Sequence, residues 1–197
     1  MINRKNENGF TLIELLVTIV LVVILFVSFG TFFINYTTLY YGLQTDSSNA
    51  VQMAQELERI SAVLRGLTDI VSANPNSLTA YAYFSPNDSY VSLINYYINS
   101  NNNEVLATVT PMTSNPPTGN PITSESRTYT IISNYYQPPG GSLFSYYDIS
   151  GNLLIPPISN EKTILSIGIN LSSPASHNLN GQQLSTTVTI RDRRVNT

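Results

Sequence analysis

Residues 10–34 form a run of 25 with one charged side chain, Glu14, and are otherwise almost wholly apolar, beginning Phe10-Thr11-Leu12-Ile13-Glu14-Leu15-Leu16-Val17-Thr18. As an α-helix such a run rises about 37 Å, more than the roughly 30 Å hydrocarbon core of a bilayer needs. The spacing therefore predicts a membrane-spanning helix. A secretory signal has a shorter apolar region that ends at a small-residue cleavage site, and neither is present. Arg4 and Lys5 precede the run, so the positive-inside bias predicts a cytoplasmic segment 1–9 and export of everything after about Tyr36. Tyr36, Tyr40 and Tyr41 suit the interface where the span ends.

Glu14 is the exception that carries information. An ionised carboxylate costs about 2.5–3.5 kcal/mol at the centre of a membrane helix, and less near an interface. Either Glu14 reaches water among the headgroups, or it is kept for a partner. Its neighbourhood favours the second reading, because Gly9 stands directly before Phe10-Thr11-Leu12-Ile13-Glu14-Leu15.

That string resembles the cleavage and methylation motif of type IV prepilins and type II secretion pseudopilins, over about the first 30 residues. The resemblance implies that residues 1–9 are a leader and that prepilin peptidase cuts after Gly9. It also implies that Phe10 becomes the N-methylated terminus and that Glu14 is the acidic fifth residue of the mature chain. Physical reasoning agrees with this. Apolar helices gain little from hydrophobic association in lipid, so subunit register comes from packing or polar pairs. A buried carboxylate is tolerable beside a partner charge, and the new amino group at Phe10 of an adjacent subunit supplies one. Glu14 and Phe10 are thus the candidate assembly residues.

Beyond the span, Gly30 and Gly42 are weak points for a continuous helix. Asp46-Ser47-Ser48-Asn49 either caps a restarted helix or lies within a longer one. Apolar residues then recur as Ala50, Met53, Leu57, Ile60, Leu64, Leu67 and Val71, with Gln52, Gln55, Glu56 and Arg59 off the stripe. This is an amphipathic helix over 35–74, stopped at Asn74-Pro75-Asn76, whose stripe packs on the chain's own sheet rather than on a partner helix.

Residues 75–197 alternate Tyr, Ile, Val and Thr runs with Asn, Gly, Pro and Ser, the pattern of an antiparallel β-rich head. Strands are expected at 78–84, 90–98, 105–110, 127–133, 143–149, 163–171 and 184–191, with a hairpin turn at Ser150-Gly151-Asn152 leading to Leu153-Leu154-Ile155. The fold class is therefore α+β. A long N-terminal helix, membrane-spanning in its first half and amphipathic in its second, packs on an antiparallel sheet, as the pilin resemblance also implies. Glu58-Arg59-Ile60-Ser61-Ala62-Val63-Leu64-Arg65 and Thr186-Thr187-Val188-Thr189-Ile190-Arg191 resemble the larger, J-type minor pseudopilins. Thr31 stands where many major pilins have a helix proline, and the chain has no Cys for a C-terminal disulfide. Both point to a minor subunit.

Composition narrows the chemistry. Charged residues make up 11% of the chain, against about 25% in a typical soluble domain. A net charge of -3 leaves no basic footprint for nucleic acid. With no Cys, thiol catalysis and zinc-thiolate sites are excluded. No phosphate loop, metal spacing or nucleophile motif is readable, so no catalytic residue, cofactor or metal is assigned. His177 reads as a loop histidine and Asp148 as a turn residue. Arg191, Arg193 and Arg194, interrupted by Asp192, read as a solvated strand end. The doublets Tyr96-Tyr97, Tyr135-Tyr136 and Tyr146-Tyr147 are expected to send one ring inward and one outward. The expected function is a structural minor pilin or pseudopilin of a pilus, secretion or DNA-uptake filament. Its partners are prepilin peptidase, other pilin subunits and the cytoplasmic membrane, and its head is exported to a periplasmic or extracellular filament. The alternatives are a surface adhesin held by a pilin-type helix, or an unprocessed single-pass membrane protein.

Overall fold

The computed structural model describes residues 10–174 and 181–190. The chain divides into two compact units, Met1–Thr45 and Asp46–Thr197. One helix, α1 (Leu12–Arg65), contributes to both.

In the first unit the apolar helix keeps its backbone ladder despite its hydroxyl residues. Thr18 donates to the Glu14 carbonyl at 2.6 Å, Ser28 to Ile24 at 2.8 Å and Thr31 to Val27 at 2.9 Å. Each hydroxyl is satisfied four residues back along its own helix, the arrangement that lets Ser and Thr sit in lipid without an unpaired polar group. Among the described residues α1 is the one helix long and apolar enough to cross a membrane. Neither Gly30 nor Gly42 interrupts it, and Asp46 to Asn49 lie inside it rather than capping a second helix.

In the second unit, Met53, Ile60, Val63 and Leu64 of α1 are buried, with Leu57 partly so, in one cluster with Leu78, Ala80, Ile94 and Ala107 of the sheet. Burying an aliphatic side chain of this size contributes about 1.5–3 kcal/mol. The stripe therefore packs on the chain's own strands, as its spacing predicts.

The stripe ends earlier than expected. The helix stops at Arg65, and Leu67–Asn74 forms a strand, β1, rather than a last helical segment. The reason is geometric. Register shifts between Leu67 and Asp69 and between Ile70 and Ser72 each slip the inward face of β1 by one residue. The strand therefore buries Leu67, Ile70 and Ala73, a spacing of three that imitates a helix, while Val71 is 48% exposed. Asn74-Pro75-Asn76 is the turn into β2 (Ser77–Ala82), not a helix stop.

The remaining strands are β3 (Ser92–Asn99), β4 (Glu104–Pro111), β5 (Arg127–Ile132), β6 (Phe144–Tyr147), β7 (Leu153–Leu154), β8 (Ser166–Ser172) and β9 (Gln183–Thr189). All seven expected strands are present. They form two antiparallel sheets, one in the order β1-β2-β3-β4-β5 and one in the order β7-β6-β8-β9. Tyr146 of β6 joins them: it is fully buried, and its hydroxyl donates to the Asn74 carbonyl at 2.7 Å. Asn76 Oδ1 accepts from Gln137 at 3.0 Å, and Pro75 accepts the Phe144 N–H at 2.9 Å. The turn that resembled a helix stop is thus the seat of the second sheet.

The β6–β7 hairpin has the expected turn. Gly151 takes a φ of +80°, open to glycine at little cost. Asp148 Oδ1 accepts the Ser150 and Asn152 N–H groups, each at 2.8 Å. Hydrogen bonds from the Asn152 side chain and then its backbone hold the Asp148 carboxyl below the usual carboxylate range, so Asp148 is occupied in the turn, as its sequence context predicts. The tyrosine doublets divide as expected: Tyr96, Tyr135 and Tyr146 are buried, whereas Tyr97, Tyr136 and Tyr147 are partly or fully exposed. Tyr135 and Tyr136 do this from a loop rather than a strand.

Candidate processing and assembly site

The candidate site is the start of α1. Phe10 precedes the helix and is exposed, and Thr11 takes the cap position before Leu12. The first helical hydrogen bond runs from the Leu15 N–H to the Thr11 carbonyl at 3.2 Å. The two residues that flank this turn bond each other in both directions. Thr11 Oγ1 accepts the Glu14 N–H at 3.3 Å, while Glu14 Oε2 accepts the Thr11 N–H and the Thr11 hydroxyl, each at 2.9 Å. This is a capping box, which satisfies helix donors that otherwise have no intrahelical partner.

Glu14 therefore has work within its own chain. Both side-chain bonds fall on Oε2, and Oε1 takes none among the described residues. One oxygen organises the helix start and the other remains an acceptor for an outside donor. A carboxylate at this end also suits the helix dipole, which favours negative charge in the first turn. Sequence reasoning assigned Glu14 to assembly and overlooked Thr11. The signal was available, because Thr-x-x-Glu immediately before an apolar run is the sequence form of a capping box.

The structure brings Phe10, Thr11 and Glu14 together at one helix end. Gly9 and the rest of the leader lie outside the described residues, as do His177, Arg191, Asp192, Arg193 and Arg194. Among the described residues no group of His, Cys, Asp or Glu has a metal-holding arrangement.

No curated protein matches the chain. The family model for the prokaryotic N-terminal methylation motif matches residues 4–29, the segment that contains Gly9, Phe10 and Glu14. Residues 4–29 thus carry the N-terminal methylation motif, which supports a pilin- or pseudopilin-type precursor, and the motif leads into a long apolar helix and antiparallel sheets in a pilin-like layout.

Proposed function

We propose that this chain is a minor pilin or pseudopilin, a structural subunit rather than an enzyme. Prepilin peptidase cleaves it after Gly9 and methylates Phe10. The mature protein waits in the cytoplasmic membrane as a single-pass protein with everything after about Tyr36 exported, and it then enters a filament through α1. Its four parts are a leader (1–9), a membrane and assembly helix (10–34), a helical continuation that now ends at Arg65, and the β-rich head.

The observation that carries this reading is the start of α1. Glu14 is the one charge in the apolar run, and its Oε1 is unengaged among the described residues. The methylated amino group of Phe10 on an adjacent subunit has the charge to meet it. In lipid such a pair sets axial register where apolar contact alone does not. A J-type place in the filament rests on the short resemblances at 58–65 and 186–191.

The test is co-purification. Filaments sheared from the producing cells are expected to contain the chain, and cells lacking prepilin peptidase are expected to retain it in the membrane at full length. Equal release from both kinds of cell would overturn the assignment. A second reading, a binding head displayed by a pilin-type helix, is favoured by a cleft beside strand β5.

A further inference from the structure

The five-stranded sheet changes character at its outer strand. Cross-strand partners share a face, and β4 pairs Ala107 with Tyr129 and Val109 with Arg127 of β5. Ala107 and Val109 are buried, whereas Tyr129 is 36% exposed and Arg127 is exposed. A tyrosine and an arginine thus stand where apolar residues would continue the core. A cleft of about 880 Å³ opens there, within the range of small-ligand sites, about 300–1,000 Å³.

One wall of the cleft is an aromatic column. The Arg59 guanidinium lies 5.1 Å from the centre of the Phe84 ring. Tyr129 stacks with the same ring, the centres 5.2 Å apart and the planes inclined by 28°. Tyr90 adds a third, exposed ring, and Asp88 and Glu125 also line the space.

These walls are held before any ligand arrives. Asp88 accepts the Ser85 N–H at 2.9 Å, and Ser126 bonds Thr110 through their hydroxyls at 2.9 Å. Asn115 Oδ1 accepts the Val91 N–H at 2.9 Å, which ties the β4–β5 loop to the approach of β3. Within that loop a Cβ at Gly119 would stand 1.7 Å from the Ser114 carbonyl oxygen, so the turn closes only on glycine. A fixed site loses less entropy on binding.

The lining selects the occupant. Two guanidinium groups and two carboxylates balance in charge, which disfavours a strongly acidic or basic ligand. Arg59 reaches Glu56 only at 3.9 Å, and Arg127 has no ion pair among the described residues. Their donors, beside carboxylate acceptors, match a ligand whose hydroxyls both donate and accept. Flat rings match one whose carbon face is apolar. We propose that this cleft binds a neutral saccharide, one sugar ring against Tyr129 and its hydroxyls between Arg127 and Glu125. An acidic peptide would face Asp88 and Glu125, and an apolar segment would strip water from both arginines without replacing it. The inference does not rest on filament assembly, since it concerns the second unit, Asp46–Thr197, alone.

Calorimetry on the full chain in phospholipid nanodiscs, free of sugar-based detergent, tests it with cellotetraose, maltotetraose and fully N-acetylated chitotetraose. At least one is expected to bind. Tyr129→Ala and Arg127→Gln are each expected to weaken that binding about tenfold or more, whereas Tyr83→Ala, exposed outside the cleft, leaves it unchanged. Should Tyr129→Ala unfold the head, Arg127→Gln at its exposed edge position decides alone. Co-sedimentation with insoluble cell-wall glycan, lost in the same variants, would identify the wall as the source, and its absence a free or foreign glycan. Absence of binding to all three sugars, binding untouched by both variants, or an acidic peptide binding there in their place would overturn the proposal.

Discussion

Thr11 and Glu14 bond each other reciprocally across the first turn of α1, with Thr11 Oγ1 accepting the Glu14 N–H and Glu14 Oε2 accepting two bonds from Thr11. The same carboxylate is thus a local cap and a candidate intersubunit partner, and substitution separates the two roles. Thr11→Val removes the cap, which costs about 1 kcal/mol of helix stability, but keeps the charge. That variant is expected to be processed and to enter filaments. Glu14→Leu is expected to be processed and membrane-bound but missing from sheared filaments, because the neighbour's ammonium loses its partner at a cost of about 3–5 kcal/mol, several hundred-fold or more in association. Glu14→Gln keeps shape and hydrogen bonding and isolates the charge. Immunoblots of sheared fractions check all three. Equal loss with Thr11→Val and Glu14→Leu would assign the residue to capping alone.

The head has its own core. Met53, Ile60 and Leu64 pack with strand residues in one cluster, so a fragment that starts near Tyr36 is expected to be soluble and monomeric by light scattering. Ile60→Ala in that fragment is expected to lower stability by about 2–5 kcal/mol, as for other large-to-small core changes. A tight dimer would mean that the stripe serves a partner.

The seam between the sheets rests on Tyr146. Tyr146→Phe removes its bond to the Asn74 carbonyl, at a cost of about 1 kcal/mol by chemical denaturation. Burial raises the Tyr146 and Tyr96 hydroxyls well above the ordinary tyrosine value. An acid whose folded pKa is raised contributes stability that is complete below its unfolded pKa, about 10, and is lost as pH rises beyond it. Stability is therefore expected to fall above about pH 10, less steeply in Tyr146→Phe. Equal slopes for wild type and variant would contradict the seam.

Much of this was legible in sequence, for physical reasons. The apolar run and its single acid needed only composition, and seven strands announced themselves because period-two residues lie between Asn, Gly and Pro turns. Strand β1 was hidden because its register shifts bury Leu67, Ile70 and Ala73 at a helical spacing. The role of Asn74-Pro75-Asn76 was hidden because a turn and a helix stop use the same residues. The cleft was not readable at all, since it depends on Arg127 and Tyr129 pairing with Val109 and Ala107 across a long loop. The capping box was readable, but Glu14 already had a more conspicuous explanation.

The most direct test of the central claim is the intact mass of the protein from its own host, with sequencing of its N-terminus. The account predicts a chain that begins at Phe10 and carries one methyl group on its amino nitrogen. Gly9→Val is predicted to retain the leader, because a β-branched side chain does not fit a subsite shaped around glycine. A wild-type chain that still begins at Met1 in cells with active prepilin peptidase would contradict the account.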